Sequence, residues 1–494
     1  MTGNLNPIIP GFHPDPSICR VGEDYYLVTS SFEYFPGVPV FHSRDLLRWE
    51  QIGNVLDRPS QLNLRLGREG ASAGIYAPTI RHHDGEFWVI TTNRDDVMKG
   101  HMIVRASDPA GEWTDPVYTT GAIGIDPDLA WDEAGTCYLT WSIPQGIAQV
   151  TVDPATGKVL SEPQIIWAGT HMAHTEGPHL VRHGAYWYLI AAEGGTGPGH
   201  GVSVARSASP SGPWEPHPAN PILSHRSTNH PVQNTGHPDL VELPDGSWAM
   251  VHLGVRPRGS FPEAHVNGRE TFITGVDWVD DWPVVVEDRF DVPEAATAFT
   301  DDFDAPRLHP RWIAPGVDPR SFTTPREGAG VRLSAGRLPG ARDAERLLAV
   351  RARDASWTVT ATLPEGDAAL VVRIDDAHWV GVERQGGTLS ARAVIGPLAQ
   401  TLGVAEGVPA DHPLSLRAVA NTDQYSFAKG PDDIQLGYLT GTEFHTLATV
   451  DGRYLSTEVA GGFTGRVIGV EALGADAVLT RFTYQPQPVP PTTS

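Results

Sequence analysis

What constrains this chain most is a pattern that returns five times in its first half. Residues 25–29, 87–91, 138–141, 186–190 and 248–252 are short aromatic and β-branched segments. They stand about 50–60 residues apart, near the period of propeller blades. Each reads as a buried strand. Most follow a glycine turn, as at Asp84-Gly85, His183-Gly184 and Asp245-Gly246, which is a hairpin signal. Ahead of each turn come a proline, one polar residue, then Ile or Leu: Pro16-Ser17-Ile18, Pro78-Thr79-Ile80, Pro127-Asp128-Leu129, Pro178-His179-Leu180 and Pro238-Asp239-Leu240. Proline has no donor and suits the start of a strand. A third feature closes several units, a turn leading to a tryptophan: Ser43 to Trp49, Ser107 to Trp113, Ser207 to Trp214.

Each unit is therefore a strand, a hairpin, a second strand and an outer turn anchored by Trp. One unit could belong to a β-sandwich; five in register build a five-bladed β-propeller, with blades of four strands around a channel. The 52 Gly and 43 Pro agree, since such a fold needs many turns and no long helix. The 494 residues exceed one domain. The repeat stops after residues 282–286. We place the propeller at 1–288 and a linker at 289–300. From 301 to 485 apolar and polar residues alternate, in segments 357–361, 369–373, 379–383, 414–418 and 478–482. That alternation predicts antiparallel strands buried on one side, and a β-sandwich. The Pro-rich residues 486–494 read as a disordered tail. The fold class is all-β throughout.

The formal net charge of −23 leaves no broad basic surface, so nucleic acid is not an expected partner and an anionic membrane would repel the chain. No apolar run is long enough to span a bilayer. The N-terminal residues show no basic and apolar secretory signature. Cys19 and Cys137 both lie in apolar segments. Buried free thiols suit a reducing compartment, and the expected location is the cytoplasm.

The register of the repeat carries chemistry. In a propeller the first strand of each blade lines the axis, and the residues before the five prolines are Asp15, Ala77, Asp126, Gly177 and His237. Asp15 and Asp126 should face each other at the channel mouth, with Glu176 one residue out of line on a third blade. A lone Asp before Pro is usually a turn residue, and three carboxylates could hold a cation. Three acids in register also match glycoside hydrolysis, where one carboxyl must be protonated and another ionised. A third carboxylate and burial both raise the pKa of the acid.

The segments 12–17, 175–180, 193–197, 236–240 and 268–271, which include His13-Pro14-Asp15-Pro16, Glu176-Gly177-Pro178 and Gly268-Arg269-Glu270-Thr271, resemble glycoside hydrolase family 43, in particular its β-xylosidase branch. The resemblance covers the whole chain. It implies inversion at the anomeric centre, Asp15 as general base, Glu176 as general acid, and Asp126 orienting and tuning Glu176. It implies that Arg269 contacts sugar hydroxyls and steadies Asp126, and that Phe32 lines the sugar pocket. Tyr76 stands where a Trp or Phe is frequent, and Asp128 where Ser is frequent. Alternation keeps Asp128 on the axial side with Asp126, so it is a rival for the tuning role and a candidate substrate contact. His237 lies near the bottom of the site in relatives, some of which hold a water-ligated calcium there. Calcium prefers oxygen ligands, so a hydrogen-bonded structural His is the preferred reading and no cofactor is required. The second domain resembles the concanavalin-like accessory domain, which narrows the pocket; Phe463 sits on a loop that either reaches the active site or packs in its own domain. Relatives make a homo-oligomer the prior without fixing its state.

The leading function is an exo-acting β-1,4-xylosidase on xylo-oligosaccharides. The rival is an α-L-arabinofuranosidase acting on arabinosyl substrates. An endo-arabinanase fits a narrowed pocket poorly. A catalytically silent sugar-binding propeller would not need all three acids.

Overall fold

The structure, a computed structural model, describes residues 5–489 except 67–69, 260, 327, 329, 336–345 and 423–426. The repeat becomes five antiparallel sheets in chain order. The first blade runs Ser17–Val21, Asp24–Val28, Gly37–Ser43, Glu50–Leu56 from axis to rim. The inner hairpins of the other four pair Thr79–His83 with Glu86–Thr91, Ile125–Trp131 with Cys137–Ile143, Glu176–His183 with Tyr186–Glu193, and Gln233–Glu242 with Trp248–Val255. Third and fourth strands extend each outward, and the third blade takes a fifth, Gln164–Trp167.

Local chemistry explains these elements. At Asp84-Gly85 both residues are left-handed (φ 50° and 79°), as a tight hairpin turn demands. Trp113 is fully buried and its indole N–H reaches the Pro109 carbonyl at 3.3 Å; the Trp49 indole N–H reaches the Leu46 carbonyl at 2.8 Å. The tryptophans thus pin the outer turns. Between blades the apolar faces interlock, as where Trp88 and Ile90 meet Leu129 and Trp141. The ring closes where Ile18 and Leu27 of the first blade pack on Val241, Val251 and Ile273 of the last.

The second domain stacks two six-stranded sheets. One includes Trp357–Thr362, Leu414–Ala420 and Asp432–Thr440; the other includes Val467–Ala472, Ala368–Asp375 and His378–Gln385. Trp357–Thr362 alternates buried and half-buried residues, as expected. Ala368–Asp375 does not: every residue is buried. Ala368, Leu370 and Val372 face the sandwich core, whereas Ala369 and Val371 join Phe12, Phe32 and Tyr34 in a core shared with the propeller. Docking covers the face that one-sided alternation would leave wet. A short interdomain pairing, Tyr34–Phe35 with Ala314–Pro315, fastens the same contact.

Three expectations change. The segment read as one strand at 478–482 breaks at Thr480 into Ala477–Leu479 and Arg481–Pro486, which belong to different sheets. The stretch at 289–300 is anchored at both ends: Val292 is buried among Ile8, Ile9 and Val241, and Phe299 already pairs with Tyr484. The tail at 486–494 begins in a strand, with Pro486 opposite Trp357 and the Gln487 amide donating to Ser356; residues 490–494 lie outside the described residues. Among the described residues no helix is long and apolar enough to cross a membrane.

Candidate active site

The register equivalence read from the repeat is visible in the backbone. Asp15, Asp126, Gly177 and His237, each preceding a repeat proline, have φ of 57°, 55°, 57° and 50°. Ala77 is the exception. In the third, fourth and fifth blades the ladder slips at this point, between Ile125 and Asp128, Glu176 and His179, and Gly236 and Asp239. Such bulges re-aim side chains beside active sites. The left-handed residue carries a steric cost that an L side chain elsewhere would avoid.

The bulged tier gathers the acids. Asp15 is buried, accepts the Ser30 hydroxyl at 2.5 Å and the Arg269 guanidinium at 3.0 Å, and lies 3.5 Å from His237 Nδ1. Burial pushes its carboxyl up, but Arg269, His237 and the Ser30 bond outweigh burial, and the group sits below the ordinary carboxylate range. Arg269 therefore holds Asp15 directly, and its charge also reaches Asp126, the partner that the resemblance implied. It also donates to the Thr196 hydroxyl at 3.2 Å.

Glu176 goes the other way. Burial first, then the charge of Asp15, raises it to about 7. Asp126 is likewise pushed up, by burial, Glu176 and Asp15. Two carboxyls so placed share their protons as a pair. The Gly177 amide donates to Asp126 Oδ2 at 3.1 Å and only partly offsets that rise. The loop before Glu176 is fixed by the fully buried Glu193, which accepts the Thr170 amide at 2.8 Å, the Thr170 hydroxyl at 2.6 Å and the Thr175 hydroxyl at 3.1 Å.

One tier inward stand the residues after the prolines. Asp128 is axial, as alternation requires, but it is fully buried: Arg81 donates to Oδ1 at 2.7 Å and the Leu180 amide to Oδ2 at 2.9 Å. It is a correction to the expected substrate contact, and no rival to Asp126. Arg81 also donates to Asp239 Oδ2 at 2.8 Å, where the Ser17 hydroxyl (2.7 Å) and the Ile18 amide (3.0 Å) converge. His179 Nδ1 lies 2.9 Å from Arg81. Every blade gives one side chain to this knot: Ser17, Arg81, Asp128, His179 and Asp239. Nothing in the sequence but the polar position of the repeat pointed to it, and Arg81 itself lies outside that position. Beyond the knot the channel opens again into a cavity of about 390 Å³ lined by Arg20, Trp131 and Trp248. The acid pocket thus has a floor.

The wall is aromatic. Phe32, Tyr76 and Phe463 form a triangle with ring centroids 5.9, 6.0 and 6.2 Å apart. Phe463 comes from the sandwich; its amide donates to the Ser72 hydroxyl at 2.8 Å, and the Arg269 guanidinium lies 5.2 Å from its ring. Of its two readings, the structure brings Phe463 to the pocket. His237 packs against Gly177, where a Cβ would meet its ring at 2.9 Å. Burial first lowers its pKa to about 4, so it is neutral. The carboxylate in contact with it, Asp15, is already engaged by Arg269 and Ser30. Among the described residues His237 offers one imidazole beside an engaged carboxylate, so calcium there would draw its six to eight oxygens from water.

Three buried carboxyls, one held down and two pushed up, at the floored end of a propeller channel fit the chemistry of a glycoside hydrolase. Two family models match: "Glycosyl hydrolases family 43" over residues 4–283 and "Beta xylosidase C-terminal Concanavalin A-like domain" over 300–484. The chain belongs to glycoside hydrolase family 43. It is 36% identical over 497 residues to the non-reducing end α-L-arabinofuranosidase BoGH43B of Bacteroides ovatus, covering 95% of this chain and 91% of that protein. It is 46% identical over 297 residues to a xylosidase/arabinosidase of Butyrivibrio fibrisolvens, covering 57% and 56%. The structure of a xylan β-1,4-xylosidase from Bacillus halodurans superposes with a TM-score of 0.84 at 31% identity, covering 98% of this chain and all of that one.

Proposed function

We propose that this chain is an inverting, exo-acting hydrolase that releases xylose from the non-reducing end of β-1,4-xylo-oligosaccharides. The observation that carries the reading is the opposite polarisation of two carboxyls in one pocket, Asp15 held down beside Arg269 and Glu176 raised to about 7. Asp15 takes a proton from a water whose oxygen attacks the anomeric carbon. Glu176 gives its proton to the glycosidic oxygen as that bond breaks. Solvent then returns the proton from Asp15 and reloads Glu176. Asp126, tied to the Gly177 amide beside Glu176, orients the acid, while burial and the charge of Asp15 keep Glu176 protonated up to near neutrality. Phe32, Tyr76 and Phe463 supply apolar faces for the terminal sugar, and Arg269 its polar contact. The floor at Arg81 and the wall from Phe463 support end-wise rather than internal cleavage. No step is routed through calcium. The buried, unpaired Cys19 and Cys137 support a reducing, cytoplasmic setting.

A second reading, primary α-L-arabinofuranosidase activity, is favoured by the long match to the Bacteroides ovatus enzyme. Turnover of aryl β-D-xyloside against aryl α-L-arabinofuranoside separates the two; a kcat/KM ratio in favour of the arabinofuranoside reverses the assignment. An NMR time course of the released sugar reads the stereochemistry, and retention of configuration overturns Asp15 as base.

A further inference from the structure

Away from the pocket, the loop leading into the fifth blade carries His225 and His230, and Glu287 follows that blade's outermost strand, Trp282–Val286. One ligating atom from each of the three lies within 4.8 Å of the others. The imidazole centroids are 3.9 Å apart. Both Nδ1 atoms stand against the same carbonyl, that of Val232, at 2.7 Å for His225 and 3.0 Å for His230. A carbonyl only accepts, and it has two lone pairs. The His225 Nδ1–H donates to it, so that its Nε2 presents a lone pair on the other side; His230 Nδ1 also lies 3.1 Å from the Val232 amide, and its Nε2 lone pair is offered in the tautomer whose Nδ1–H takes the shared carbonyl. That is the arrangement in which a second partner fixes the tautomer of a metal-bound histidine.

The two Nε2 atoms meet different surroundings. That of His225 lies 2.7 Å from Glu287 Oε2. That of His230 is buried and has no hydrogen-bond partner. A buried ring nitrogen without a partner is costly. A cation between the three groups would satisfy it, and would take the place of the proton that His225 and Glu287 otherwise share. The Glu287 side chain is 38% exposed, which leaves a path from solvent and room for a water as further ligand.

We infer that His225, His230 and Glu287 form a binding site for a divalent cation of the zinc class, fastening the entrance of the last blade to its exit. Two imidazoles and one carboxylate select borderline cations such as Zn²⁺, Co²⁺ or Ni²⁺ over Ca²⁺. Modest side-chain rotation brings the donors to the usual zinc distances of about 2.0–2.2 Å. Among the described residues no hydrogen bond or ion pair joins the three groups to Asp15, Asp126 or Glu176, so the task of the site is to hold the blade where the chain leaves for the sandwich.

The test uses the full chain after chelator treatment, titrated with Zn²⁺ alone by calorimetry, with Co²⁺ absorption as a report on nitrogen and oxygen ligands. We expect one Zn²⁺ per chain and a rise in Tm at saturation. His230→Gln should weaken that binding at least 10-fold and remove the Tm rise. Glu287→Gln should weaken it too, and both variants should turn over aryl glycoside like the parent, which shows that they fold. A chain that binds no Zn²⁺, or a His230→Gln variant that binds it with unchanged stoichiometry and affinity, overturns the site. The 20 histidines of the chain make that comparison necessary, because a surface pair elsewhere would survive the substitution.

Discussion

At the scale of single residues, the pocket is a problem in keeping one carboxyl charged and another neutral. Asp15 must be ionised and Glu176 protonated, so kcat/KM should follow a bell against pH. The acid limb lies below the ordinary carboxylate range, where Asp15 gains a proton; the basic limb lies near 7, where Glu176 loses its own. Glu176→Gln should abolish the basic limb and lower kcat by about 10²–10⁴ on poor leaving groups. Activated aryl glycosides should suffer far less, and equal losses on both would remove Glu176 from the acid role. The same residue makes a stability prediction. Its folded pKa is raised, so its contribution is fully present below the unfolded carboxyl value and is lost as pH rises through about 7. Glu176→Gln should therefore raise Tm at pH 8 relative to the parent and leave the difference small at pH 4. By linkage the gain is at most about 3 kcal/mol.

At the scale of elements, the bulge is the device that separates catalytic from structural acids. In Ile125–Trp131, Asp126 turns to the pocket and Asp128 to the buried knot, two residues apart in the chain and one tier apart on the axis. Gly177→Ala tests the bulge of the fourth blade. It places a Cβ at left-handed φ, at about 1–2 kcal/mol, and pushes it into the His237 ring. Activity should fall by more than the modest drop in Tm accounts for, since Glu176 is the residue it displaces. Arg81→Met tests the knot. It strands Asp128 and Asp239 as buried carboxylates, and should destabilise the propeller by about 3–5 kcal/mol in chemical denaturation. A near-neutral result would mean that the two acids take up protons at little cost.

At the scale of the whole molecule, the sandwich completes the pocket that the propeller begins. Phe463→Ala should raise KM by about tenfold or more, consistent with loss of one apolar sugar face, while the acid and base limbs of the pH profile stay where they are. A shift of those limbs instead would mean that Phe463 acts on the carboxyls through burial.

The sequence by itself determined the blade count, the register of the residues before the prolines and the presence of two acids on it with a third one residue away, because each depends on a local strand-turn-strand pattern that repeats within tens of residues. It also determined the second all-β domain, since alternation is a property of each strand. Tertiary structure alone decided which groups those acids meet. Arg269 reaches Asp15 across 254 residues, Arg81 joins blades that no local pattern links, and Ala368–Asp375 is buried on both faces only because another domain lies against it. Left-handed residues and bulges decided the rest: where the ladder slips, counting along a strand no longer tells which way a side chain points. Contacts across a closed ring follow from how five sheets pack, and no window of sequence contains more than one of those sheets.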